Sequence, residues 1–143
     1  RCATCVSFRT RTMPDNFPIL FTLEHAQQVL SRLRPTVGDM VHAYRGLQAL
    51  APAGPDPGDT LARNGGSRPS PEALSLMDRL QRALVTIRSE GVLVKDAARG
   101  LLDFPALLQG RVVFLCWMHG EGKIGFWHER DSGFTGRIPL EDD

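Results

Sequence analysis

The residues best equipped for chemistry crowd into one stretch near the end of the chain. Cys116-Trp117-Met118-His119 is followed by Trp127-His128-Glu129 and then by Gly133-Phe134-Thr135-Gly136-Arg137. Both tryptophans and two of the four histidines lie there. Indole, imidazole, carboxylate and guanidinium groups grip polar ligands, so Trp117, Glu121, Trp127, His128, Asp131 and Arg137 form a candidate ligand-binding set. His119, Glu121, His128 and Asp131 carry nitrogen and oxygen atoms suited to a metal. Alternation along the strands would put His119 and His128 on one face. No His-x-His or His-Glu-x-x-His spacing accompanies them, so no metal ligand and no cofactor is assigned.

Each candidate has a plainer reading. His128 could act as a general base oriented by Asp131, or be a core histidine bonded to a backbone carbonyl beside Trp117 and Phe126. Cys116 lies in an apolar run, which suits a structural thiol better than a nucleophile. Arg137, framed by Gly133 and Gly136, could clamp an anion near Trp127, or pair with Asp103 and lock the C-terminal segment to the sheet. No residue is assigned as catalytic. Cys2 and Cys5 offer half of a zinc site with no second pair to complete it.

Composition narrows the class. The chain has 143 residues, 42% apolar and 23% charged, with net charge +1. That is one soluble-type domain with no overall field to draw it to nucleic acid or an anionic membrane. Arg32, Arg34, Arg45, Arg79 and Arg82 alternate with acids, as on a solvated surface. No apolar run reaches membrane-spanning length and no signal-peptide pattern opens the chain. Three cysteines point to a reducing, cytoplasmic setting. Residues 1–12 read as a tail of doubtful origin ahead of Met13-Pro14, leaving 13–143 as a single domain.

The elements that must position the cluster follow from periodicity. Thr22 caps a helix whose Leu23, Ala26, Leu30, Leu33, Val37, Met40, Tyr44 and Leu47 keep heptad spacing. Pro35 should kink it without ending it. The Pro/Gly-rich stretch 51–69 reads as a mobile linker. Ser70 caps a second helix, with Pro71 at its first position, the stripe Ala73, Met77, Leu80, Leu84, Ile87, and Gly91 as terminator.

Beyond Gly91 the period falls to two. Short strands are expected around 92–94 and 101–104, a strong strand at Arg111–Met118, and another at Lys123–Glu129 after a turn at Gly120-Glu121-Gly122. A hairpin loop of even length would pair Val113, Leu115 and Trp117 with Ile124, Phe126 and His128. Phe114, Cys116 and Met118 would then share the other face with Trp127 and Glu129. The fold class is therefore α+β: an antiparallel helical hairpin, one long kinked helix and one shorter, packed on a small antiparallel β-meander.

Both sheet faces are rich in apolar groups, and a large side chain left in water forgoes roughly 1.5–3 kcal/mol. The second face can be covered by residues 134–140, by residues 17–20, or by another copy of the protein. Together with the unpartnered heptad of the first helix, this predicts a homodimer.

From Phe21 onward the chain resembles the small bacterial proteins of domain of unknown function family 2203. The resemblance is carried by Phe21-Thr22-Leu23-Glu24, Leu30, Leu33, Gly91, Val94-Lys95-Asp96, Gly100 and Asp103-Phe104-Pro105. It continues through Gly110-Arg111, Leu115-Cys116-Trp117, Gly120-Glu121, Trp127-His128, Gly133-Phe134, Gly136-Arg137 and Pro139. The family implies no established activity. At Met118-His119 the chain departs from its basic-aliphatic pair, which places His119 outside any shared site. Two classes of function remain: a dimeric, non-enzymatic interaction module binding a protein or small-molecule partner, or a small-molecule or anion binder or enzyme built on the C-terminal Trp/His/Glu/Arg cluster, with or without a metal.

Overall fold

In the computed structural model, residues 17–51 and 68–141 are described. The expected linker at 51–69 and the tail at 1–12 fall almost wholly outside them. Helix α1 spans Leu23–Leu50 and α2 spans Pro71–Ser89. Their starts follow the local grammar: the Thr22 and Ser70 hydroxyls accept from the His25 and Ala73 amides, each at 3.0 Å. Pro35 lies inside α1, which continues through it. Gly91, at φ +89°, reverses the chain after α2 in a conformation that costs glycine little.

Five antiparallel strands follow in meander order: β1 (Leu93–Asp96), β2 (Leu101–Leu108), β3 (Arg111–Met118), β4 (Phe126–His128) and β5 (Ile138–Pro139). The α+β class and the helical hairpin on a meander are thus as expected. The core lies between the helices and one sheet face. Ala26, Val29, Leu30, Leu33, Val37 and Met40 of α1 join Ala83 and Ile87 of α2 in one cluster with Leu102, Phe104, Leu115 and Trp117. Helix α1 also buries Val29, Val41 and Ala43, outside its heptad seam, because it contacts both α2 and the sheet. Leu23, at the start of that seam, is exposed.

The β3–β4 hairpin departs from expectation. Strand β4 holds only residues 126–128, and the connection from β3 is a long loop, not a tight turn at 120–122. That loop is drawn onto α1. Gln27 brackets Ile124, donating to its carbonyl at 3.2 Å and accepting from its amide at 3.1 Å. Arg34 and the Trp117 indole both donate to the Gly122 carbonyl, at 2.6 and 2.9 Å. Ile124 is buried as a result.

The loop at 119–125 is odd in length, so the register moves by one residue and every β4 side chain changes face. Phe114 opposes His128, Leu115 opposes Trp127, and Cys116 opposes Phe126. His128 therefore shares a face with Phe114 and Cys116, not with Trp117, and Trp127 turns to the helical side. The second face is covered from within the chain: Phe17 meets Phe114 edge-on at 5.7 Å between centroids, and Arg137 lies over Phe126. Among the described residues, no helix is long and apolar enough to cross a membrane.

Candidate functional site

The second face of the sheet carries a buried polar trio. On β2, Leu102 and Phe104 point toward the helices, so alternation turns Asp103 to the opposite side. Asp103 opposes Cys116 on β3, and Cys116 opposes Phe126 on β4, two residues before His128. Asp103, Cys116 and His128 are 1%, 0% and 2% exposed. One ligand-type atom from each lies within 4.8 Å of the others.

Hydrogen bonding defines the state of this trio. His128 Nδ1 sits 2.7 Å from the Glu129 carbonyl, which can only accept, so Nδ1 carries a proton. Nε2 faces both Asp103 oxygens, at 3.1 and 3.0 Å. Without a further proton, an imidazole lone pair would confront a carboxylate. The pair therefore holds one proton between its two members.

Burial raises the Asp103 carboxyl above its ordinary range, and the His128 charge beside it opposes that rise. The folded chain therefore holds a proton on Asp103 to higher pH than the unfolded chain does. Asp103 consequently contributes stability at acid pH that is lost as pH climbs through its raised value.

The thiol is held in its unreactive form. Burial, aided by the Asp103 charge, pushes Cys116 up to about 12, the reverse of what a nucleophile requires. The unfolded chain releases this proton first, so the folded state should lose stability as pH rises from about 9 toward about 12. Urea unfolding across that window, in a chelating buffer, should show the decline in the parent and a flatter profile in Cys116→Ala. An identical slope in both would contradict the assignment.

A second polar centre joins the long loop to the C-terminal segment. Arg137 Nη2 donates to both Glu121 oxygens at 2.8 and 2.9 Å, and Glu121 Oε1 also accepts from the Met118 amide at 2.8 Å. The guanidinium carbon is 3.9 Å from the Phe126 ring centre and 4.7 Å from that of Phe134. Arg137 Nε is buried and has no hydrogen-bond partner. Close approach of its charge to two aromatic rings suits an arginine at this place.

The sequence candidates thus divide among separate surroundings. His128 pairs with Asp103, and Arg137 with Glu121, so the expected Asp103–Arg137 lock is replaced by an exchange of partners. Register is the reason: it sets Asp103 beside His128 and leaves Glu121, in the long loop, to meet the C-terminal segment. His119 packs against Gly38 and Gly100 near the Trp117 ring, on the face away from His128. The expected shared face for the two histidines is therefore corrected, and His119, Glu121, His128 and Asp131 do not converge.

Trp117 is buried in the core, and the remaining two candidates lie in different shallow hollows. Asp131 is exposed and lines one of about 290 Å³ with Phe17, Lys95 and Phe114. Trp127 lines another of about 340 Å³ with Ile138 and Leu140. Neither of these two hollows is lined by His128 or Arg137. Asp103 was legible as a partner for His128 only through its place in the apolar run Leu101-Leu102-Asp103-Phe104, where a carboxylate must find a partner.

A family model described as an uncharacterized conserved protein, DUF2203, matches residues 19–140. The chain belongs to this family. The match spans both helices, all five strands, the Asp103–Cys116–His128 trio and the Glu121–Arg137 pair of this DUF2203 chain. No curated protein and no solved structure matches it.

Proposed function

We propose that this protein is a small, dimeric, non-enzymatic interaction module whose second apolar helix stripe packs against another copy. The observation that carries the reading is the surface of α2. Its buried residues are Leu76, Ala83 and Ile87, with Leu80 and Leu84 packed against the core as expected, whereas the expected Met77 faces outward. Leu74, Met77 and Val85 form a second stripe and remain 53%, 46% and 54% exposed. Their spacing of three and eight residues keeps them on one side of the helix. Isolated exposed apolar residues are ordinary, but a row at helical spacing suits packing against another helix.

The polar candidates support the same reading, because His128, Glu121 and Arg137 have partners within the chain. The arginines Arg32, Arg79 and Arg82 pair with Glu90, Asp39 and Asp78, which fits a solvated surface without a nucleic-acid role. A cytoplasmic location belongs to this proposal, since the buried thiol of Cys116 is free. Native mass spectrometry of the full chain at micromolar concentration is expected to show a dimer. Leu74→Glu with Val85→Glu should give a monomer with unchanged far-UV circular dichroism. A monomeric parent, or a dimer indifferent to both charges, would overturn the proposal.

A further inference from the structure

The Asp103–Cys116–His128 trio has a chemistry that hydrogen bonding alone does not exhaust. We propose that these three side chains bind a divalent transition-metal ion of the zinc type, tying β2, β3 and β4 together. This site is independent of the α2 surface.

The geometry supplies the first argument. Thiolate sulfur, imidazole nitrogen and carboxylate oxygen are all zinc ligands, and here their atoms lie within 4.8 Å of one another. At ordinary zinc bond lengths, tetrahedral ligands stand roughly 3.3–3.8 Å apart. The His128–Asp103 separation of 3.0–3.1 Å needs to open slightly, and a separation at the 4.8 Å limit of the trio to close by about 1 Å. A thiolate in the set disfavours magnesium or calcium, which take oxygen ligands.

The orientation of His128 supplies the second. Its Nδ1–H donates to the Glu129 carbonyl, the outer-shell bond that commonly aims a metal-ligating imidazole. That bond leaves Nε2 as the ring atom that faces the two Asp103 oxygens and can ligate when the shared proton leaves. Once the two protons of the trio leave, three ligand atoms face one another, and one dication can serve all three at once.

Charge balance supplies the third. Without metal, the trio holds one proton between Asp103 and His128 and a second on the Cys116 sulfur. On binding, both protons leave, and Asp103 and Cys116 each become anionic ligands to one dication beside a neutral His128. The net charge of the buried site is zero before and after, so no uncompensated charge is placed away from water. A coordinated thiol is deprotonated outright, which reverses the hold that burial otherwise has on the Cys116 proton. Two outside cations bear on the trio: Lys95 on Asp103, and Arg137 on Cys116. Arg137 is itself paired with Glu121.

The test uses the full chain with Cys2→Ser and Cys5→Ser, so that Cys116 is its single thiol. The chelator-treated protein is titrated with Co²⁺ and followed by absorbance. One equivalent should produce a thiolate-to-cobalt charge-transfer band that one equivalent of Zn²⁺ abolishes. In the same background, Cys116→Ala should lack the band while keeping its far-UV circular dichroism. Asp103→Asn should weaken Zn²⁺ binding at least tenfold against a chromophoric chelator. If Cys116→Ala does not fold, Cys116→Ser and the Asp103→Asn competition carry the test. A folded parent with no charge-transfer band, or a band that persists without the Cys116 thiol, would overturn the site.

Discussion

His128→Ala is expected to lower the stability of the folded chain by about 3–5 kcal/mol. The residue is nearly inaccessible, and its Nε2 faces the Asp103 carboxylate at 3.0 Å. Removing the imidazole leaves Asp103 buried without its partner and opens a space beside Phe114, whose ring centre lies 5.5 Å from that of His128. Most of the expected loss comes from the stranded carboxyl group rather than from a missing contact. A double replacement that removes both polar groups, Asp103→Leu with His128→Leu, should therefore retain much more stability than His128→Ala alone. Urea unfolding of the three proteins checks this. A single variant within about 1 kcal/mol of the parent would mean that the pair is not the internal tie described. With net stabilities of about 5–15 kcal/mol typical of such domains, the predicted loss leaves little margin at 37 °C.

Arg137→Ala should cost about 3 kcal/mol, combining a partly buried ion pair with two ring contacts. The side chain joins the C-terminal segment to Glu121 in the long loop and lies between Phe126 and Phe134. Arg137→Lys is the informative companion. Lysine keeps the charge but not the flat group that lies against both rings, so it should recover less than half of the loss. Thermal and urea unfolding, together with the near-ultraviolet signal of the aromatic residues, measure both variants. A lysine variant as stable as the parent would reduce the role of Arg137 to a point charge near Glu121.

Local order was legible in the chain itself. Thr22 and Ser70 mark the helix starts because a hydroxyl can satisfy an otherwise open amide, and Gly91 marks the end of α2. The change of apolar period near Val92 separates helices from strands, and the run Arg111–Met118 forms a strand as its β-branched and aromatic content predicts. These features depend on a few neighbouring residues, so a single sequence contains them. The ordering of Leu30, Leu33, Val37 and Met40 toward the core is of the same kind.

What the tertiary structure alone decided is which face each β4 side chain takes, and through it the partners of the polar groups. Strand alternation has a period of two, so one residue more or less in the loop at 119–125 reverses every side chain after it. That loop length is set by Gln27 and Arg34 on α1, nearly a hundred residues away in the chain, through Ile124 and Gly122. From the sequence, His128 belongs beside Trp117, and Asp103 beside Arg137. In the folded chain His128 meets Asp103 and Cys116, while Arg137 meets Glu121. The residue types that can do chemistry were plain from their order. Their pairing was not, because it rests on a long-range contact that no local spacing encodes.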